Sequence, residues 1–214
     1  MLTIKLVRHG ESEANTGKVS SLDVGDPAIP LSARGRDQAR EAGRIIGRDF
    51  IDGALLYRSP YRRTRETLDG ILEGAGAARD DLRIYEDPRL REVEHGYDEV
   101  AAQEDLRKLH GWFYYRFRGG ESPADCYDRT SNFLESMMRQ AERKQSSRVL
   151  IVTHGLTIRC FVMRFLHLSV EEFDALANPE NCAIVTLADR ATLAQCDHVS
   201  GAWGVSGLAM RERS

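Results

Sequence analysis

Two histidines share one setting in the sequence, since each follows a short apolar run and precedes a glycine. Arg8-His9-Gly10 follows TIKLV, and His154-Gly155 follows VLIVT. A glycine at such a point lets a backbone N–H approach a ligand closely, and a helix that starts there favours an anion. In α/β sheets, ligands bind beyond the carboxyl ends of the parallel strands. We therefore expect His9 and His154 to face one ligand site.

A third apolar run, ALLY, leads through the turn Arg58-Ser59-Pro60 into a segment rich in arginine. Four arginines surround this expected helix start: Arg58, Arg62, Arg63 and Arg65. The planar guanidinium group binds phosphate at two points, so these side chains, with Arg8, indicate a phosphate site. The simpler alternative is a solvated helix face whose arginines pair with neighbouring carboxylates. The repeated strand-histidine-glycine-helix unit favours the phosphate site.

The same residues suggest how a phosphate ester could react. The chain contains neither the P-loop signature G-x-x-x-x-G-K-[ST] nor a dense Asp/His cluster typical of two metal ions. Where arginine and histidine supply the positive charge, a neutral imidazole is the natural nucleophile. The segment DPRLREVEHG offers Glu92 and Glu94 as proton donors for the leaving alcohol. Their spacing does not choose between them.

The elements that must position these residues are predicted from hydrophobic patterns. Nearly continuous apolar strands that feed helices are typical of a parallel sheet covered on both faces. Start signals or apolar residues at helical spacing predict helices after Gly10, over 32–50, from Ser59-Pro60, over 122–141 and after Gly155. Ser122 is the expected N-cap of its helix, with Pro123 at the first helical position.

Three more segments, LRIYE, CAIVTL and LAQCDHV, are predicted as strands, the last of them at a sheet edge. The predicted fold class is α/β, a three-layer α/β/α sandwich with a mostly parallel central sheet. A small helical insertion is expected at about 98–121, between Asp98 and Glu121. The length of 214 residues fits one domain, which we place at 1–214.

The composition narrows the function classes. The chain has 30 Lys+Arg against 33 Asp+Glu, so its net charge is −3, and we expect no nucleic-acid or membrane partner. No apolar stretch approaches the length of a membrane span, and we read no secretory signal at the N-terminus. The four cysteines are widely spaced without a C-x-x-C pair. This pattern predicts a cytoplasmic protein with no zinc site.

Six ordered blocks of the sequence resemble the histidine phosphatase superfamily, in its phosphoglycerate mutase-like branch (branch 1). The blocks are LVRHGESEAN from Leu6, LSARGRDQA from Leu31, SPYRRTRET from Ser59, LRE from Leu90 with Gly96, GES from Gly120, and VTHG from Val152. Together they run through most of the chain, which makes the signal far more specific than any one motif. One departure is Tyr61, which stands where the family usually has leucine.

The resemblance implies a role for each matched residue. His9 would attack phosphorus, Arg8, Arg63 and His154 would hold the phosphoryl oxygens, and Glu92 would donate and later accept a proton. Substrate-binding roles are expected for four further residues: Ser12, Asn15, Gly155 and Arg116. The resemblance implies neither metal nor cofactor. His9 must be neutral to attack, whereas His154 is more useful protonated, so we expect their surroundings to hold them in opposite states.

The resemblance covers both phosphatases and cofactor-dependent phosphoglycerate mutases. The gap from Glu92 to His154 is compact, and Glu94-His95-Gly96 replaces the Tyr-Gly that the mutases carry after the acid. We therefore favour a metal-independent phosphatase acting on a small phosphate monoester. Mutase-type phosphoryl transfer is the alternative, and a scaffold that binds phosphorylated ligands without turnover is the second. The scaffold would not need both a nucleophile and an acid.

The segment Trp112 to Arg118 is the most aromatic in the chain. It could be a lid over the leaving group, with Arg116 meeting a second anionic or planar moiety. It could equally be an amphipathic helix that packs its rings on the sheet edge. The expected partner is a small phosphorylated substrate, and we expect a monomer or a homodimer.

Overall fold

The computed structural model describes residues 1–96 and 100–211. Its central sheet contains seven strands: β1 (Thr3–Arg8), β2 (Ala54–Arg58), β3 (Ile84–Glu86), β4 (Arg148–Thr153), β5 (Ile184–Asp189), β6 (His198–Ser200) and β7 (Trp203–Ser206). Their order is β3-β2-β4-β1-β5-β7-β6. The first four are mutually parallel, whereas β5 runs antiparallel to β1 and to β7. The mostly parallel sheet is therefore confirmed.

Eight α-helices surround the sheet within the described residues: α1 (Ser21–Val24), α2 (Ala33–Ile46), α3 (Arg48–Asp52), α4 (Arg62–Ala75), α5 (Glu104–His110), α6 (Pro123–Lys144), α7 (Gly155–Leu166) and α8 (Val170–Ala175). Short 3-10 turns lie at Asp26–Ala28, Arg79–Asp81, Pro88–Leu90, Ala101–Gln103 and Arg190–Thr192. No helix in these described ranges combines the length and apolarity needed to cross a membrane.

The two faces of the sheet carry separate hydrophobic clusters. Ile151 of β4 packs in the cluster of α6 and α7, while the adjacent Leu150 and Val152 pack in the cluster of α2 and α4. Successive side chains of a strand point to opposite faces, so a strand that is apolar at every position requires a helix layer on both sides. This arrangement confirms the three-layer α/β/α architecture.

Helix ends follow local signals in the sequence. Ser122 caps α6, its hydroxyl accepting from the Asp125 N–H while the Asp125 carboxylate accepts from the Ser122 N–H, as a capping box requires. Helix α4 ends before Gly76, which adopts the left-handed conformation. The helix predicted over 32–50 is instead divided into α2 and α3 by Gly47, whose φ is 79°. That dihedral is incompatible with a continuing helix.

Two predictions of secondary structure are wrong. The segment after Gly10 forms turns rather than a helix, because the Ser12 and Asn15 side chains bond to nearby backbone N–H groups and compete with helical bonding. Helix α4 also begins at Arg62, not at Ser59-Pro60. Of LAQCDHV, only the end forms a strand, β6, although it does lie at the sheet edge as predicted.

The predicted insertion at 98–121 begins at Asp98, which lies outside the described residues. Farther along it, the structure forms α5 and then an irregular segment up to the start of α6. The aromatic segment 112–118 is not helical, but Phe113, Tyr115 and Phe117 are buried in the core cluster of α6 and α7. The division of the chain into one domain with this insertion stays a prediction.

Candidate active site

The two sequence-predicted histidines meet at the carboxyl ends of neighbouring strands. Strands β1 and β4 pair in parallel with Arg8 opposite Thr153, and the His9 N–H donates to the Thr153 carbonyl over 2.9 Å. The ring centroids of His9 and His154 are 5.2 Å apart at an interplanar angle of 63°. Both side chains are buried. The parallel register thus brings together two residues that are far apart in the chain.

His9 is held in the state that a nucleophile needs. Its Nδ1 lies 2.8 Å from the Gly10 carbonyl oxygen, which can only accept, so Nδ1 carries the proton and Nε2 keeps a free lone pair. Burial lowers the pKa of His9 to about 3, with further lowering by the nearby guanidinium groups of Arg63 and Arg8. The imidazole is therefore neutral at physiological pH.

His154 lies beneath His9, fully buried. Its Nε2 is 2.9 Å from the Ser59 hydroxyl, and its Nδ1 is buried without a hydrogen-bond partner. Burial, the charge of Arg63 and the proximity of His9 lower the pKa of His154 well below its usual value. The expectation that His154 is protonated while His9 is neutral is therefore wrong for this structure. A buried imidazole beside several cations has no counter-charge that would hold its proton.

Two arginines bring positive charge to these histidines. The Arg8 guanidinium donates to the Pro179 carbonyl over 2.7 Å, while its Nε is buried without a partner. A buried polar atom that is left unsatisfied is costly, so the Nε of Arg8 and the Nδ1 of His154 both favour a polar ligand here. Burial lowers the pKa of Arg8, although the guanidinium stays charged because its ordinary value is so high.

Arg63 is almost completely buried, and its guanidinium group is bound by the carboxylate of Asp26. Its two terminal nitrogens donate to the Asp26 carboxylate oxygens over 2.9 and 3.0 Å, and one of them also donates to the Asp26 carbonyl over 2.7 Å. The guanidinium carbon lies 5.0 Å from the centre of the Tyr61 ring. The terminal edge of the guanidinium is thus occupied by Asp26. Arg63 also lines the cavity described below.

Glu92 lies in the loop that follows the 3-10 turn Pro88–Leu90. The hydroxyl of Thr153 donates to the Leu90 carbonyl over 2.7 Å, and that of Thr157 donates to the Arg91 carbonyl over 2.8 Å. Thr153 belongs to β4 and Thr157 to α7, so the loop is fixed to the two rigid elements on either side of His154. The Glu92 carboxylate accepts from the Val93 N–H over 3.0 Å. Glu92 is half-buried, whereas Glu94 is exposed.

A cavity of about 550 Å³ opens above these residues. Six predicted site residues line it: Arg8, His9, Ser12, Asn15, Arg63 and Glu92. We call Arg8, His9 and Arg63, with His154 beneath them, the floor. We call Leu22 of α1, the residues Gly25 to Pro27 that follow this helix, and the loop residues Val93 to Gly96 the outer wall; Glu92 lies between the floor and the outer wall.

Three predicted site residues do not line the cavity. His154, at the base of the floor, and the adjacent Gly155 are both buried and do not reach the cavity surface. Arg116 lies outside, with its side chain 64% exposed and paired with Asp125 at the start of α6. The buried rings of the aromatic segment support the packing interpretation rather than the lid.

Ser12 and Asn15 form a local hydrogen-bonded unit. The Asn15 amide oxygen accepts from the N–H and the hydroxyl of Ser12, each over 3.0 Å. Because this oxygen is engaged, the amide NH₂ of Asn15 remains as the donor that could reach a ligand. Asn181 joins the unit, since its side-chain NH₂ donates to the Asn15 amide oxygen over 3.4 Å and to the His9 carbonyl over 3.1 Å.

Glycines allow the backbone segments around the cavity to touch. A Cβ on Gly10 would collide with the backbone of Gly35 at the start of α2, so two of the sequence blocks meet there. Gly96 has a φ of 74°, and a Cβ there would overlap the Arg118 carbonyl. The outer wall therefore packs directly on the backbone of the segment that leads into α6.

Sequence reasoning missed Asp26 and Ser59 as contributors to the site. Ser59 was interpreted as a helix start, but its hydroxyl meets His154 instead. Asp26 lies in a loop without periodicity, so no sequence pattern connects it with Arg63. Its position next to Pro27 was the available signal, because Asp and Pro together often begin a turn.

The described residues contain no group of three or more His, Cys, Asp or Glu side chains arranged to hold a metal ion. The positive charge beside His9 comes from Arg8 and Arg63.

Comparisons with known proteins identify sequences that are similar to this chain. A sequence profile described as the histidine phosphatase superfamily (branch 1) matches residues 4–199. The chain is 39% identical over 201 residues to the phosphoglycerate mutase-like protein AT74H of Arabidopsis thaliana, a match that covers 84% of this chain and 71% of that relative. It is 26% identical over 281 residues to the broad-range acid phosphatase DET1 of Saccharomyces cerevisiae, covering 86% of this chain and 84% of that relative.

The fold also resembles solved structures. A mycobacterial glucosyl-3-phosphoglycerate phosphatase solved with VO3 superimposes with a TM-score of 0.70 at 24% identity. The match covers 88% of this chain and 91% of that chain. At this level of identity the likeness concerns the fold.

Proposed function

The chain belongs to the histidine phosphatase superfamily (branch 1), and from that membership we propose that it is a metal-independent phosphatase of small phosphate monoesters. The observation that carries the proposal is the state of His9. Its Nδ1 proton is held by the Gly10 carbonyl, and its low pKa keeps Nε2 unprotonated above the cationic floor. A neutral imidazole presented in this way is an activated nucleophile.

In the first step, Nε2 of His9 forms a bond to phosphorus as the bond from phosphorus to the ester oxygen breaks. Glu92 gives its proton to the leaving oxygen, and the alcohol departs. The Nδ1–H of His9 stays on the ring, where its bond to the Gly10 carbonyl stabilises the positive charge of the phosphohistidine. Arg8 and Arg63 stabilise the negative charge on the phosphoryl oxygens.

In the second step, water attacks phosphorus while the Glu92 carboxylate accepts its proton. The bond from phosphorus to Nε2 breaks, so His9 is again neutral and inorganic phosphate is released. His154 contacts the phosphoryl group from below through its Nδ1, which has no hydrogen-bond partner within the protein. The cost of protonating it falls when a phosphate dianion lies nearby, because opposite charge raises the pKa of an imidazole.

Mutase-type phosphoryl transfer is the alternative, and the name of the Arabidopsis relative favours keeping it. It differs from hydrolysis only in what attacks the phosphohistidine. Incubation with 3-phosphoglycerate and a bisphosphoglycerate separates the two, because a mutase forms 2-phosphoglycerate whereas a phosphatase releases inorganic phosphate.

Hydrolysis of an aryl phosphate in the presence of EDTA tests the proposal. We expect turnover in wild-type protein, and a loss of at least about a thousandfold in His9→Ala. Wild-type protein quenched in alkaline detergent during turnover of a ³²P-labelled ester should carry the label on His9, because phosphohistidine is stable in base and hydrolyses in acid. Undiminished activity in His9→Ala would refute the nucleophile, and activity that EDTA abolishes would refute metal independence. His110→Ala, at an exposed position on α5, is the matched control.

We also propose a cytoplasmic location, because Cys126, Cys160, Cys182 and Cys196 are all free thiols. The oligomeric state stays a prediction of monomer or homodimer.

A further inference from the structure

The cavity carries charge of opposite sign on its floor and its outer wall. Among the described residues that line it, the arginine and lysine side chains are Arg8 and Arg63, both on the floor. The outer wall contributes the carboxylates of Asp26 and Glu94. A substrate that fits its phosphate to the floor must therefore place its alcohol part beside acidic groups.

The positive charge of the floor is sufficient for one phosphate group but not for a second anionic group on the substrate. The charge of Arg63 is offset in part by its two-point contact with the Asp26 carboxylate. Arg8 donates to a neutral carbonyl, that of Pro179. Arg8, the partly offset Arg63 and the site's hydrogen-bond donors suit a single phosphate group.

The rest of the outer wall adds no cation. Leu22, Pro27 and Val93 are apolar, and the Tyr61 ring lies beside Arg63. The His95 ring packs edge-on against the Phe117 ring, and desolvation there lowers the pKa of its imidazole. A carboxylate or second phosphate on the substrate would face Glu94 without a counter-charge from these residues.

We propose that the site selects phosphate monoesters whose alcohol part carries no second negative group. This inference rests on the proposed phosphatase function, and it names the class of substrate that function would use. The alcohol would be neutral or cationic, and its hydroxyl or amino groups could donate hydrogen bonds to the carboxylates of the outer wall. Bisphosphates and phosphorylated carboxylic acids would be poor substrates.

A matched pair of esters tests the charge selection. Glycerol 3-phosphate and 3-phosphoglycerate share one carbon skeleton and differ by a CH₂OH group in place of a carboxylate. We expect wild-type kcat/KM to favour glycerol 3-phosphate by about fivefold, the size of effect that one solvent-exposed charge contact produces. Equal values, or a preference for 3-phosphoglycerate, would overturn the inference.

Substitution of the outer wall tests where the selection arises. In Glu94→Lys the ratio of the two kcat/KM values should fall by about tenfold, because a cation replaces an anion at the mouth. The ratio within one variant cancels any effect common to both esters. Glu135→Lys makes the same charge change on the exposed face of α6, away from the cavity, and should leave the ratio unchanged. A ratio that is the same in both variants would exclude Glu94 as the source.

Hydrolysis of the aryl phosphate separates failure of the inference from failure of the proposed function. If wild-type protein hydrolyses it and His9→Ala does not, the phosphatase proposal stands whatever the ester ratio is. If no ester is hydrolysed by wild-type protein, the phosphatase proposal fails and the charge selection fails with it.

Discussion

The floor and the outer wall of the cavity are built from different kinds of backbone. The floor stands on the carboxyl ends of β1 and β4 and on the first turn of α4, and its histidines and Arg63 are buried. The outer wall comes from the short helix α1, the 3-10 turn that follows it and the loop Val93 to Gly96, and Glu94 and His95 within it are exposed. Rigid strand ends thus fix the groups that would touch phosphorus, whereas short turns and loops decide what may accompany the phosphate.

Removing the guanidinium of the floor should have the largest effect. Arg63→Ala is expected to lower kcat/KM for an aryl phosphate by about a thousandfold, because it removes charge stabilisation of the phosphoryl oxygens in a buried site. Arg63→Lys keeps the positive charge but loses the planar guanidinium group. Its kcat/KM should therefore lie between the values of wild type and Arg63→Ala. Arg62→Ala, one residue earlier on α4 and partnered with Glu66, is the control. Equal losses of kcat/KM in Arg62→Ala and Arg63→Ala would mean that an arginine of the floor contributes no more to activity than an exposed arginine of α4.

Gly96 tests how firmly the outer wall is held. Gly96→Ala combines an unfavourable φ with overlap on the Arg118 carbonyl, and should lower the free energy of unfolding by about 3 kcal/mol. Gly17→Ala has a nearly identical φ of 75° but open space around the new Cβ, so about 1 kcal/mol is expected. Urea unfolding measures both. Equal losses would mean that the wall does not depend on this backbone contact.

The buried histidines of the floor should make stability depend on pH. Their pKa values are lowered on folding, so the unfolded chain binds protons first, and stability present above about pH 6.5 is lost as the pH falls. Each histidine should contribute about 1.4 kcal/mol per pH unit below that value. For His9 this loss should continue down to a pH of about 3.

Urea unfolding at about pH 7 and about pH 5 measures this slope. His9→Gln should reduce it, whereas His110→Gln, on an exposed surface, should not. An unchanged slope in His9→Gln would mean that burial does not lower the pKa of His9 in solution.

Asp26 joins the wall to the floor, and its neutralisation should have the smallest effect. Asp26→Asn leaves the charge of Arg63 unbalanced, so the inhibition constant of inorganic phosphate should fall about fivefold. Asp23→Asn removes an exposed carboxylate from α1 and is the control. An increased inhibition constant in Asp26→Asn would instead identify Asp26 as a positioning residue for Arg63.

The parts of the molecule that sequence predicts well are those with short-range signals. Apolar runs and the glycines behind His9 and His154 were sufficient for the parallel sheet and for the meeting of the two imidazoles. The Ser122-Pro123 start of α6 was equally local. These features depend on a strand period, a helix period or a cap, each of which occupies only a few residues.

The missed features depend on contacts between distant segments. The ion pair of Asp26 and Arg63 joins a turn to the start of helix α4, and no hydrophobic periodicity in the sequence predicts it. The neutral state of His154 follows from complete burial beneath two arginines, a tertiary property. The turn after Gly10 arose because Ser12 and Asn15 bond locally and override the helical pattern.

The position of β1 in the sheet also sets the order in which the protein can be assembled. This first strand pairs on one side with β4 and on the other with β5, so both neighbours come from the last third of the chain. During synthesis β1 stays unpaired until residues up to Thr153 have been made, and it gains its second neighbour only when the chain reaches Asp189. Such long-range pairing raises contact order and slows folding. A chain that stops before β4 therefore contains His9 but lacks both the neighbouring strand and His154.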